Sequence, residues 1–269
     1  MLSLPELMIA PNGARRTKVD HPELPVNIAE IVECARQCYV EGADGIHTHV
    51  RDANGKHVLD VGLYQELMRE LARVVPDMTV QVTSEAAGIY QAEEQRAIIR
   101  ELHPNYVSVA MREMLDDTAN DHNKRQAQEF YQWANNADVT IQHIIYSAED
   151  VTEWFRRVDA GLIPLEGNRA QLLFVLGRYR KHLDSQPEDL QPFIDAMRQS
   201  RGDYQIDWAV CAFGVAETVC LAEAVKQGGK IRIGFENSLW HANGKLAQNN
   251  AERVRYLKKY LVTTPSTVD

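Results

Sequence analysis

The amino-acid sequence predicts a closed (β/α)8 barrel, the TIM-barrel architecture, on three observations. Short apolar runs alternate with amphipathic segments along the whole chain, the pattern of strand followed by helix. The runs number about eight, as closure of such a barrel requires. The first run leads into Pro11-Asn12-Gly13-Ala14-Arg15, not into the G-x-G-x-x-G that normally follows the first strand of an open dinucleotide-binding sheet.

The expected strands are Leu7 to Gly13, Gly45 to Val50, Met78 to Thr83, Tyr106 to Ala110, Val139 to Ile145, Gln171 to Gly177, Tyr204 to Ala212 and Lys230 to Phe235. After the first, Asn27 and Glu30 pair as a capping box ahead of Ile28, Ile31, Val32 and Ala35, so that helix has one apolar face to lay on a sheet. Leu63, Leu67, Leu71 and Val74 repeat the stripe after the second strand. Ser147 and Asp150 suit another capping box after the fifth, and Pro187 suits a first helical turn after the sixth. With no linker, low-complexity tract or internal repeat, residues 1–269 read as a single barrel domain.

Composition narrows the function. The 29 Lys+Arg against 38 Asp+Glu give a net charge of −9 without a long basic run, which argues against nucleic acid and anionic membrane as partners. A chain of 269 residues buries roughly three-quarters of its unfolded surface, so its core needs no disulfides. Cys34, Cys38, Cys211 and Cys220 are too few and too oddly spaced for a secreted framework and read as buried free thiols. No stretch approaches about 18 consecutive apolar residues, and the first residues do not resemble a secretory leader. A reducing cytoplasm is the expected setting.

Active sites of such barrels form at the carboxyl ends of the strands, and four ends stand out. In Ile46-His47-Thr48-His49-Val50 the period of two puts both imidazoles on one face and the aliphatics on the other. Side by side they suit a divalent cation, or else are hydrogen-bonded core histidines. In the last strand, alternation turns Arg232, Gly234 and Glu236 into the barrel. A glutamate there needs a cation, supplied either by Arg232 or by a metal; two His and one Glu with open positions make a catalytic zinc set. Thr83 and Ser84, followed by Glu85, could hold a carboxylate or oxyanion, or merely cap the strand. The fourth end, Asn12 to Lys18, is cationic: a solvated charge run or, with Arg112, Arg178 and Arg180 after other strands, a rim that receives an anion.

With these residues in place, the chain resembles the β-keto acid cleavage enzymes, whose best-described member is the 3-keto-5-aminohexanoate cleavage enzyme. The matching pieces run from about residue 8 to about residue 255. They are Asn12 to Thr17 with Asp20 to Val26, Gly42-Ala43 through His47-Thr48-His49-Val50-Arg51-Asp52, Gln81 to Ser84, Phe174 to Gly177, Trp208 to Val210, and Gly228-Gly229 through Arg232 to Asn237. The resemblance implies a zinc-dependent barrel, typically a homo-oligomer such as a dimer or tetramer. It condenses a β-keto acid with acetyl-CoA and splits the adduct into acetoacetate and a new acyl-CoA. It makes His47, His49 and Glu236 the zinc ligands and Arg232 the charged partner of the catalytic carboxylate; Asn12, Arg15, Thr83 and Ser84, at the other strand ends, are the residues expected to bind the substrate.

Departures from the family pattern fall at the expected mouth. Asn237 stands where the best-described member has the aspartate proposed as general base, and an amide cannot take the proton; either another group such as Glu85, His143 or metal-bound hydroxide serves as base, or the chemistry differs. Arg15 stands where that member has a glutamate for the substrate's ammonium group, which suggests a second carboxylate or other anionic end on this substrate. Arg178-Tyr179-Arg180-Lys181-His182 replaces a glycine-rich stretch, which bears on coenzyme A binding, and Ala110-Met111-Arg112 replaces an Asn-centred one. The competing expectations are a metal-dependent barrel hydrolase, which also uses H-x-H, and a noncatalytic zinc- or ligand-binding relative.

Overall fold

A computed structural model describes residues 1–115, 120–177 and 185–263. Eight parallel strands close into a barrel in chain order, β1 pairing with β8. They are β1 (Leu7–Ile9), β2 (Gly45–Thr48), β3 (Thr79–Thr83), β4 (Tyr106–Ala110), β5 (Thr140–Ile145), β6 (Arg169–Leu176), β7 (Gln205–Ala212) and β8 (Lys230–Ile233). The helices are α1 (Ile28–Val40), α2 (Val61–Val74), α3 (Ala92–Leu102), α4 (Met111–Met114), α5 (Asp121–Asn136), α6 (Ala148–Asp159), α7 (Gln191–Ser200), α8 (Glu217–Lys226) and α9 (Asn250–Thr263). Among the described residues no helix is long and apolar enough to cross a membrane.

The local chemistry acts as expected. Asn27 accepts from Glu30 N–H at 2.9 Å while the Glu30 carboxylate reaches back to Asn27 N–H, completing the capping box of α1. Ser147 caps α6 through Asp150 N–H. Pro187 begins a short 3-10 turn, Pro187–Leu190, that leads into α7. Strand parity separates two cores. Ile9, Ile46, Val107, Leu172, Phe174, Val210, Ile231 and Ile233 face the helices in the main cluster. Met8, Tyr106, Leu173, Val175, Ala209 and Cys211 form a smaller cluster on the opposite parity, inside the barrel. All four cysteines are free; Cys38, Cys211 and Cys220 are buried and Cys34 only partly.

Three strands end at least two residues before the expected position, β2 stopping at Thr48 instead of Val50. β1 stops at Ile9 instead of Gly13, and β8 at Ile233 instead of Phe235. At Gly234, φ is +147° and a Cβ would collide with the Ala10 carbonyl, so the ladder gives way to a turn in which Asn237 and Ser238 N–H both donate to Gly234 C=O. Glu236 therefore reaches the barrel interior through a turn, not through strand alternation.

Candidate metal centre

The two histidines project inward from the end of β2, with Nε2 atoms 3.0 Å apart. His47 Nδ1 lies 2.8 Å from Gln81 Oε1, and Gln81 Nε2 in turn donates to Gln142 Oε1 at 3.0 Å. With its Nδ1–H given to Gln81, His47 keeps an Nε2 lone pair for an ion. Glu236 Oε2 lies 3.8 Å from His47 Nε2 and 3.6 Å from His49 Nε2. Among the described residues these three form a group whose ligand atoms all lie within 4.8 Å of one another. Burial pushes both imidazoles down to about 3; Arg232 adds to the shift at His47, and Glu236 opposes it at both. Neutral imidazole nitrogens are what zinc ligation needs, and with a carboxylate beside them the two-His, one-Glu donor set fits a divalent cation.

The two cations weighed for Glu236 are not exclusive here. Arg232 donates to Glu236 Oε1 at 3.2 Å, while Oε2 faces the histidines. Arg232 also touches Cys211 Sγ at 3.4 Å, and its Nε and second terminal nitrogen are buried with no hydrogen-bond partner. A cavity of about 410 Å³ is walled by His47, Thr83, Glu85, Tyr146, Arg232 and Glu236 among others. A neighbouring lobe of about 460 Å³ is lined by Asn12, Gly13, Arg15 and Arg16, and shares Glu85, Phe213 and Glu236 with the first.

The remaining expected residues fall on both sides of that boundary. Arg15 pairs with Glu85 at 2.6 Å over the opening, its side chain 57% exposed. Thr83 lines the cavity, and its hydroxyl accepts from Glu85 N–H at 3.0 Å. The buried Asn12 donates to the His49 carbonyl at 3.0 Å, bracing the second ligand from behind. Ser84 points elsewhere: its hydroxyl donates to the Ser108 carbonyl at 2.8 Å and it lines neither lobe. Asn237 is fully buried and also lines neither lobe; both atoms of its amide lack hydrogen-bond partners.

His143 is a correction. It sits on β5 between the inward Gln142 and Ile144, so parity sends its ring outward, where it stacks on Tyr131 at 5.5 Å and meets the edge of Trp154 at 5.4 Å. It cannot serve as a base in the barrel mouth. Arg112 pairs with Asp150 at the head of α6 rather than with the cavity. Arg178, Tyr179, Arg180, Lys181 and His182 lie outside the described residues.

Three contributors have no sequence role assigned above. Gln81 orients His47, and its inward parity with Thr83 was the available signal. His57 holds the Glu85 carbonyl through Nε2 at 2.9 Å, its ring 5.3 Å from that of His49. Arg51 donates to the carbonyls of Gly13 and Arg16, fastening the loop after β1 to the end of β2. Neither His57 nor Arg51 has a local spacing that reveals these contacts.

A family model described as beta-keto acid cleavage enzyme matches residues 7–267. A 3-keto-5-aminohexanoate cleavage enzyme of Fusobacterium nucleatum is 24% identical, over 90% of this chain and 85% of its own. A 3,5-dioxohexanoate:acetyl-CoA acetone transferase of Paraburkholderia graminis is 24% identical, over 94% of this chain and 88% of its own. Among solved structures, a ternary complex of ObcA with a C4-CoA adduct and oxalate superposes with a TM-score of 0.67 at 14% identity, covering 90% of this chain and 64% of ObcA. A type I 3-dehydroquinate dehydratase of Clostridium difficile gives 0.58 at 9% identity, covering 97% and 94%. At these identities the structural likeness establishes the barrel alone.

Proposed function

This chain belongs to the β-keto acid cleavage enzyme family, and from that membership we propose a zinc-dependent enzyme that condenses an anionic β-keto acid with acetyl-CoA, giving acetoacetate and a new acyl-CoA. One observation carries the reading: His47, His49 and Glu236 converge beside a cavity lined by His47, Glu236 and Arg232, and Arg232 has guanidinium nitrogens without a hydrogen-bond partner. The acetyl-CoA in the name of the Paraburkholderia relative supports the cosubstrate.

His47, His49 and Glu236 would hold the zinc, which would supply Lewis-acid polarisation of a keto oxygen and so ease removal of a proton from the carbon between the two carbonyl groups. Arg232, buried and with guanidinium N–H groups to spare, receives the substrate carboxylate, and the Thr83 hydroxyl adds a donor beside it. Glu85 is the base in this reading. It lines both lobes, its Oε2 lies 4.0 Å from His49 Nε2, and it is the ionisable carboxylate that replaces the one lost at Asn237. The carbanion attacks the acetyl thioester carbonyl and expels the coenzyme A thiolate. The thiolate adds to the original keto carbon, the bond to the former carbanion carbon breaks, and acyl-CoA forms. The acetoacetate carbanion takes its proton back from Glu85. Arg15 at the opening faces the far end of the substrate and selects an anionic group there. We place the enzyme in a reducing cytoplasm as a homo-oligomer, a dimer or a tetramer.

The zinc-loaded protein, given a panel of keto acids and acetyl-CoA labelled in the acetyl group, is expected to yield labelled acetoacetate and unlabelled acyl-CoA, with dicarboxylic keto acids preferred. Turnover without any thioester would replace this reading with hydrolysis. Tight anion binding with no turnover, unchanged by Asn237→Asp, would replace it with a noncatalytic role.

A further inference from the structure

The sheet does not position Glu236, because β8 ends three residues before it. The turn that carries it is fastened from outside. Glu236 N–H donates to the Ala10 carbonyl at 3.1 Å, and Arg16 donates to the carbonyls of Phe235 and Asn237. Phe235 N–H donates to Asn250 Oδ1 at 2.9 Å. Asn250 opens α9, is 1% exposed and lines neither lobe of the cavity. Its Nδ2 donates to the Pro11 carbonyl at 3.1 Å.

One planar carboxamide thus bridges two backbones across the seam of the barrel. On one side is the turn holding Glu236; on the other is the exit of β1, which leads into Asn12 and Gly13. Those two segments must stay in register. Asn12 braces the His49 carbonyl, and a Cβ on Gly13 would lie 2.5 Å from Glu236 Cγ, so the missing side chain is the space the glutamate occupies. The bridge requires an acceptor and a donor held in one short rigid group. An amide offers both, whereas a carboxylate offers acceptors alone. We propose that Asn250 is a positioning residue for the metal centre, setting Glu236 against the two histidines from behind, a role that rests on the zinc reading above.

The test measures zinc affinity by chelator competition, with thermal melts, for the wild type, Asn250→Asp, Asn250→Ala, His47→Ala and Trp154→Phe. Trp154 is fully buried in α6 and touches none of these groups, so it reports the effect of a softened core alone. Amide exchange at Phe235 is followed in metal-free protein. Both Asn250 variants are expected to bind zinc roughly ten- to a hundredfold more weakly, as when ligand-orienting partners are lost elsewhere. Phe235 N–H should exchange faster in Asn250→Ala but stay protected in Asn250→Asp, which keeps the acceptor. Trp154→Phe should lower Tm and leave zinc affinity unchanged. Wild-type affinity in both Asn250 variants overturns the proposal, as does an equal loss in Trp154→Phe. If the wild type binds zinc no better than His47→Ala, the zinc reading falls and takes the metal role of Asn250 with it. The exchange of Phe235 separates that outcome from a failure of the bridge itself. Should Asn250→Asp not fold, Asn250→Ala carries both measurements.

Discussion

At the scale of single residues, the site turns on how each polar group is divided between partners. Arg232 spends one edge of its guanidinium on Glu236 Oε1 and Cys211 and keeps the rest for the cavity. Arg232→Lys retains a charge beside Glu236 but loses the planar fork. A charge-assisted hydrogen bond is worth about 1.5–3 kcal/mol, so kcat/KM for the keto acid should fall roughly ten- to a hundredfold, with zinc content unchanged. Steady-state kinetics beside metal analysis check this. At this scale the sequence was legible wherever parity decided: His47, His49 and Arg232 face inward, while Ile46, Val50, Ile231 and Ile233 on the other parity pack against the helices. Parity likewise sends His143 outward, since Gln142 and Ile144 take the inward positions, yet the residue type alone suggested a base. Ser84 lies beyond the end of β3, where the alternation no longer applies, and its hydroxyl turns to a backbone carbonyl.

Elements fix where those residues stand, and here the loops matter more than the strands. The alternation read through Lys230 to Phe235 placed Glu236 inward, and it is inward, but a turn at Gly234 brings it there. Gly13 shows the close fit on the opposite side of the seam. Its φ of +60° costs a non-glycine residue roughly 1–2 kcal/mol, and the added methyl group would press on Glu236 Cγ. Gly13→Ala should therefore leave a folded barrel with a melt lowered by a few degrees, while zinc binding weakens by far more than that stability loss implies. Chelator competition run beside the melts separates the two effects. Turns of this kind are poorly written in local sequence, because their partners come from residues distant in the chain: Ala10, Arg16 and Asn250 meet positions 234–237 only after the barrel has closed.

The whole molecule adds an acid sensitivity that does not belong to the site. His143 is held neutral between Tyr131 and Trp154, burial pushing its pKa down to about 3 from an ordinary 6.5. Its contribution to stability is complete above the unfolded value and is lost as pH falls from about 6.5 toward 3, because the unfolded chain then binds a proton that the folded one refuses. Between pH 7 and 5 that linkage amounts to about 2 kcal/mol. His143→Phe should remove that part of the acid destabilisation, seen as a smaller drop in urea-unfolding free energy over the same interval. An equal drop in the two proteins would show that the ring titrates normally. What the sequence determined alone was the closed barrel and the inward pair of imidazoles: periods of two and 3.6 mark the strands, the helices and the facing side chains, and the count of about eight strands decides closure. What only the tertiary structure decided was the turn that brings Glu236 to those imidazoles and which amides and guanidinium groups hold it there. Closing a barrel joins the first strand to the last, and contacts across that seam link residues more than two hundred positions apart, a distance over which no local pattern carries information.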